Sequence, residues 1–241
     1  MTGYEEDIAL WLNEQAALLR ARRFADLDVE NLAEAVKSVA RSLERGIVDH
    51  LAAIMSMQWR NVLDREQRPN TSKMMFHRSM IKDIVRDCPS LEPRLADSQV
   101  LDHAWNRMLC DYDVDGWDLP ERTPWTLDQV LNGVRPSDVL RRRRDEIVRT
   151  LAQAGCVNMR VFGSVARGED REESDLDLLV EVEHSAGGLE FFSVPATLER
   201  ILGVRVDLLA SGGLSERFAH VLAEAIPVDV EGWRSDSLRG S

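Results

Sequence analysis

Five residues in the last hundred positions are of the types, and at the spacing, that phosphate chemistry requires. Gly163 and Ser164 follow the β-rich run Val157 to Phe162, so a strand delivers them into a tight turn. A glycine there lets backbone approach a ligand, and the serine adds a hydroxyl beside exposed N–H groups, an arrangement suited to phosphate. Ten residues separate Ser164 from Asp175, which is followed by Leu176 and Asp177. On a strand, alternation puts both aspartates on one face, their Cα atoms roughly 6 to 7 Å apart, with Leu176 turned to the core. Two carboxylates so placed can share divalent ions about 3.5 to 4 Å apart, the spacing used for phosphoryl or nucleotidyl displacement. A third acid, Asp207, lies between Val206 and Leu208 in the strand-like run VRVDLLA. Burying a carboxylate in an apolar strand costs free energy, so a functional reason is expected.

The elements that must hold these residues alternate between β-rich and helical patterns. Strands are predicted at Val157 to Phe162, Leu176 to Val182 and Val204 to Leu209. Helices are predicted from Asp138, capped by Ser137, to Ala154, then from about Leu189 to Leu202 and from Ser215 to Ile226. This half reads as α/β. The preceding residues show no strand pattern. Apolar residues recur at helical spacing from Tyr4 to Arg23, and again from a cap at Asp28 through Val29, Leu32, Val36, Val39, Leu43, Ile47, Ile54 and Met57. Further helices carry Met74 to Val85, ended by Pro89, and Val100 to Leu109, starting near Asp97. TLDQ at Thr126 reads as a capping box for a short helix closed by Gly133. The fold class expected is therefore a two-domain α+β chain, an all-α bundle over 1–133 and an α/β domain over 137–233, divided at GVRPS.

The run VFGSVARGEDREESDLDLLV, with Asp207 beyond it, resembles the minimal nucleotidyltransferases of the DNA polymerase β superfamily. Their signature is Gly-Ser, about ten residues, Asp-x-Asp on a strand and a third aspartate on the neighbouring strand. The resemblance implies a polymerase-β-like fold and magnesium-dependent transfer of AMP from ATP, with release of pyrophosphate. It further implies that Gly163, Ser164 and Arg167 hold the triphosphate. Asp175, Asp177 and Asp207 would then be the catalytic, metal-holding acids, with Asp207 near the attacking hydroxyl. Small members of this family modify a partner toxin, so the implied partner is a protein hydroxyl and the implied role that of an antitoxin. Two alternatives stay open: transfer to a small cationic molecule such as an aminoglycoside, and a non-catalytic antitoxin that only binds its partner. The helical half resembles the DUF29 family in YEEDIALWLNEQAALLRARRFADLDVENLAEAV, CPSLEP and TPWTLDQVL, while its IMSMQW departs from that family's His-rich stretch.

Composition narrows the partners. Of 241 residues, 42 are acidic and 30 basic, a formal charge of -12, and the excess is spread over both halves, which argues against nucleic-acid binding by counterion release. No apolar run approaches the ~18 residues of a membrane span, and the acidic start MTGYEEDIAL is unlike an export signal, so a cytoplasmic protein is expected. The three cysteines, Cys88, Cys110 and Cys156, have neither disulfide nor zinc spacing and read as reduced core thiols. Arg45 and His50 have the Arg, four residues, His spacing of HEPN ribonucleases, but His50 also falls on the long helix's heptad, where a hydrogen-bonded interface residue is the simpler reading. That helix is suited to homo-oligomer formation. RRRRD at Arg141 to Asp145 reads as a solvated helix face. The two tyrosines, Tyr4 and Tyr112, sit among acids, which disfavours self-adenylylation and points to a separate acceptor.

Overall fold

The computed structural model describes residues 3–64, 70–95, 97–112, 114, 116–183, 188–213 and 219–228. The expected domain end at Trp233 and the start of the expected helix at Ser215 lie outside these. By contact the chain gathers into two compact units, Met1–Val48 and Asp49–Ser241.

In the first unit α1 spans Ile8–Arg20, begun by Asp7, whose carboxylate accepts the Leu10 N–H at 2.9 Å. Trp11 is buried and meets the Tyr4 ring edge-on at 4.9 Å between centroids. The long helix α2, Val29–Leu63, opens on Asp28 as the sequence predicts: the Asp28 carboxylate accepts the Asn31 N–H, and its own N–H donates to Gln15. The division between the units falls inside α2.

The second unit takes in the rest of α2 and the helices α3 (Thr71–Asp87), α4 (Glu92–Leu95), α5 (Ser98–Asp111) and α6 (Leu127–Asn132). Trp59, Trp105 and Trp125 form one aromatic cluster, with ring centroids 5.3 to 6.4 Å apart. Burial of three such rings supplies much of the apolar area that holds short helices together. The capping box at α6 is present, with Thr126 and Gln129 each satisfying the other's backbone N–H. Helix α7 runs Pro136–Gln153, two residues earlier than expected. Proline is favoured at a first helical position, and the Ser137 N–H is taken instead by the buried carboxylate of Asp170 at 2.9 Å.

Four strands follow, β1 (Cys156–Val161), β2 (Leu176–Val182), β3 (Val206–Ala210) and β4 (Ile226–Pro227), interleaved with α8 (Gly163–Arg167), α9 (Gly188–Leu202) and α10 (Ala219–Glu224). The sheet order is β3-β2-β1-β4; β1 is antiparallel to both its neighbours, and β2 runs parallel to β3. A parallel pair needs a long crossover, which α9 provides. Leu176, Leu178, Leu179 and Val180 of β2 are all buried, as expected of a central strand covered on both faces. Helices α7 and α9 pack against the sheet through Ile147, Leu151, Leu198 and Leu202.

Some local expectations are corrected. Phe162 ends before α8 rather than extending β1, and Ile226 is a strand residue because β1 offers it an unpaired edge. The Arg141–Asp145 face is only partly solvated: Arg143 donates to the Ile201 carbonyl and Arg144 to the Val228 carbonyl. Cys156 is buried, but Cys88 is intermediate and Cys110 exposed, so the three are not all core thiols. His50 meets His77 of α3, Nδ1 to Nδ1 at 2.9 Å, and burial lowers the pKa of both. Among the described residues no helix is long and apolar enough to cross a membrane.

Candidate active site

The site is built where β1 ends and, beside it, β2 and β3 begin. Phe162 leaves β1 with its N–H donated to the Asp177 carbonyl at 3.1 Å, and Gly163 then turns the chain with φ of +66° into the single-turn helix α8. That left-handed backbone suits glycine, and space enforces it as well: a Cβ on Gly163 would lie 2.2 Å from Oδ2 of Asp177. The glycine thus lets backbone lie against a carboxylate of this same chain. Ser164 is the second residue of α8, and Gly168, with φ of +70°, closes it.

Asp177 sits on β2 directly opposite Asp207 on β3, the two paired in the parallel register. Asp175 is the residue just before β2, half-buried, and the following Leu176 donates its N–H to the Arg205 carbonyl at 2.8 Å. Burial, then the charges of Asp207 and Asp175, push Asp177 up to about 6, against the opposing pull of Arg167, with Glu224 raising it a little further. The structure therefore brings Gly163, Asp175, Asp177 and Asp207 into one electrostatic neighbourhood.

Glu224, at the end of α10, is the residue sequence reasoning missed. Its Oε1 accepts the Gly163 N–H at 3.2 Å, and its Oε2 accepts from Nη1 of Arg167 at 3.0 Å. Arg167 also donates to Glu169 at 3.0 Å. A carboxylate thus bridges two of the donors expected to meet phosphate. The sequence signal was weak: an acid in VLAEAIP, where helical periodicity gave it no distinct role.

Among the described residues no three His, Cys, Asp or Glu side chains converge closely enough to enclose a metal ion. The donor chemistry nevertheless fits a hard divalent cation, since two neighbouring carboxylates add to the burial that raises Asp177, and such an ion would relieve their repulsion. A cavity of about 530 Å³ bounded by Arg144, Leu151, Cys156, Asn158, Arg160 and Pro227 includes none of these acids.

With this geometry in hand, comparison with known proteins defines the class. The nucleotidyltransferase domain family matches residues 143–226, and the domain of unknown function DUF29 matches residues 3–134. Protein adenylyltransferase MntA of Thermococcus cleftensis is 44% identical over 69 residues, 28% of this chain and 70% of that protein. Two proteins of Methanocaldococcus jannaschii, provisionally assigned as protein adenylyltransferases, are similar too. One, MJ1215, is 43% identical over 54 residues, 22% of this chain and 63% of its own length; the other, MJ0435, is 33% identical over 84 residues, 34% and 90%. A solved structure of a provisionally assigned minimal nucleotidyltransferase is 48% identical, covering 38% of this chain and 95% of that one, with a TM-score of 0.35. The protein is a transferase enzyme of the nucleotidyltransferase class. The chain belongs to the DUF29 family and, through its C-terminal part, to the nucleotidyltransferase domain family.

Proposed function

We propose that this enzyme transfers AMP from ATP to a hydroxyl of a separate protein, in the manner of an antitoxin acting on its toxin, with a helical module over 1–133 and a transferase module over 137–233. The observation that carries the reading is the in-register pair of Asp177 and Asp207, with Gly163 backbone packed on the first and Asp175 adjoining it. The names of the three relatives above speak of protein adenylyltransferase, which supports the acceptor class.

Gly163, Ser164 and Arg167 would bind the triphosphate, in competition with Glu224 for the Gly163 N–H and the guanidinium. Asp175, Asp177 and Asp207 would hold Mg²⁺, which supplies charge neutralisation at the reacting phosphates. Asp207 would accept the proton of the acceptor hydroxyl as its oxygen attacks the α-phosphorus. The bond to the β-phosphate oxygen then breaks, and pyrophosphate leaves. A separate acceptor is supported by the tyrosines: Tyr112 is half-buried, with its pKa raised by that burial and by Asp49 and Asp111, and Tyr4 packs on Trp11. We also propose self-association along α2, where Val29, Val36 and Val39 are exposed at steps of seven and three residues.

Incubation of the enzyme with labelled ATP, magnesium and cell extract tests the reading. A labelled protein band supports it, provided the band disappears with Asp175→Asn/Asp177→Asn. Label in a small molecule instead would favour the cationic-acceptor alternative, for which the acidic surface is suited, and no label at all would favour a binding module.

A further inference from the structure

The segment Gly168–Asp175, GEDREESD, is the most acidic stretch of the transferase domain. The structure ties it down at several points. Asp170 is buried on the Ser137 N–H. Glu172 takes both ends of the Arg78 guanidinium, with Nη1 to Oε2 at 2.8 Å and Nη2 to Oε1, while Nε of Arg78 donates to the Val130 carbonyl at 2.8 Å. Arg78 is only 8% exposed, so this fork is shielded from water and from salt. The neighbouring Glu173 accepts from the Thr71 hydroxyl at 3.1 Å. A Cβ on Gly133 would come within 3.0 Å of the Glu172 carboxylate, so that glycine too is shaped to this contact. On the other side of Asp175, Arg205 accepts the Leu176 N–H and sends its own guanidinium to the carbonyls of Asn61 and Asp64 at the end of α2. Gln58 of α2, buried, lines a small cavity with Glu172, Ser174 and Arg205.

Asp175 is thus delivered by a turn, Arg171 to Ser174, whose two flanks are held by residues of α2 and α3. We infer that Arg78 is a positioning residue of the transferase site: through Glu172 it fixes the turn that sets the Asp175 carboxylate, so the DUF29 segment is part of the catalytic apparatus. This rests on the reading of Asp175 as a metal-holding acid. An arginine fork fixes both position and angle, whereas a lysine is a point charge that leaves the carboxylate free to rotate. Supporting contacts behind a metal-holding group change metal affinity by 10- to 100-fold when removed.

The test is Mn²⁺ binding to the full-length protein in the presence of ATP, followed by electron paramagnetic resonance, with a thermal melt of each variant. Arg78→Gln and Glu172→Gln should each weaken Mn²⁺ binding about tenfold, with Arg78→Lys in between. Trp125→Phe serves as the control. It breaks the Nε1 bond to the Gly203 carbonyl, 3.1 Å, elsewhere in the same junction, and should lower the melting temperature without moving the Mn²⁺ midpoint. Glu172→Gln with wild-type Mn²⁺ affinity overturns the inference, even if Arg78→Gln fails to fold. A shift in Trp125→Phe equal to that in Glu172→Gln also overturns it, since the effect would then be general loosening. Wild-type protein that binds no Mn²⁺ with ATP would refute the metal reading itself, and the inference with it.

Discussion

Removing the charge of Asp177 should stabilise the fold while disabling the enzyme. The Asp177 carboxyl is raised from 3.8 to about 6, first by burial and then by Asp207 and Asp175. At roughly 1.4 kcal/mol per unit the ceiling is about 3 kcal/mol, and because the group is only half-buried, solvent screening reduces this to about 1 to 2 kcal/mol. The sign follows from proton linkage. Between about pH 4 and 6 the native state holds a proton that the unfolded chain has released, so stability falls as pH rises through that window and levels off above it. Asn has no such charge. In EDTA at pH 8, Asp177→Asn should therefore melt about 3 to 6 °C above wild type by calorimetry, and the gap should close towards pH 4. Adding magnesium and ATP should reverse the order, raising the wild type and leaving the variant where it was. A variant less stable than wild type at pH 8, or a gap that persists at pH 4, would refute the account of clustered, half-buried carboxylates.

Other substitutions probe the same geometry. Gly163→Ala places a methyl against the Asp177 carboxylate, which must shift, at a φ of +66°, so it should cost about 2 kcal/mol of stability and lower transfer at least tenfold; unchanged transfer would mean the contact does not matter. Glu224→Gln removes the charge that competes with phosphate for the Gly163 N–H and Arg167, and titration calorimetry should show Mg-ATP binding severalfold tighter rather than weaker. Gly203→Ala meets a rigid neighbour instead, Trp125 Nε1 at 2.3 Å with Pro124 at 2.8 Å, at a φ of +67°. It should lose about 3 kcal/mol or more in urea denaturation, and a loss under 1 would show that the Trp125 cluster gives way easily.

What could be read from the sequence was what leaves a local imprint. Asp177 and Asp207 stand in strands whose apolar neighbours alternate or run on, so both the strands and the oddity of acids within them were visible, and the observed β1, β2 and β3 lie within two residues of expectation. The Asp28 cap and the Thr126 capping box are likewise three-residue patterns, and both are found. Two-residue β4 has no period to detect; its identity comes from the edge of β1, sixty-odd positions earlier. Glu224 and Glu172 were illegible for a related reason. Their partners, Gly163 and Arg78, lie 61 and 94 residues away, and a charge on a helix or loop looks the same whether it meets water or a guanidinium.

The polar contacts between the two family segments also bear on why they occur in one chain. Arg78 is buried beside Glu172, and removing one member of such a pair leaves the other charge uncompensated, which typically costs more than the pair contributes. Apolar side chains would join the segments more cheaply, and the Trp125 cluster does so beside Gly203. A bidentate ion pair adds fixed direction, because both oxygens of Glu172 and all three nitrogens of Arg78 are committed. That direction is useful only to something whose angle matters, and three residues beyond Glu172 stands Asp175, at the mouth of the strand that carries Asp177. Acidic side chains of the loop hold that strand's entry in place from two directions, Glu172 through Arg78 of the helical segment and Asp170 through the Ser137 N–H at the start of α7.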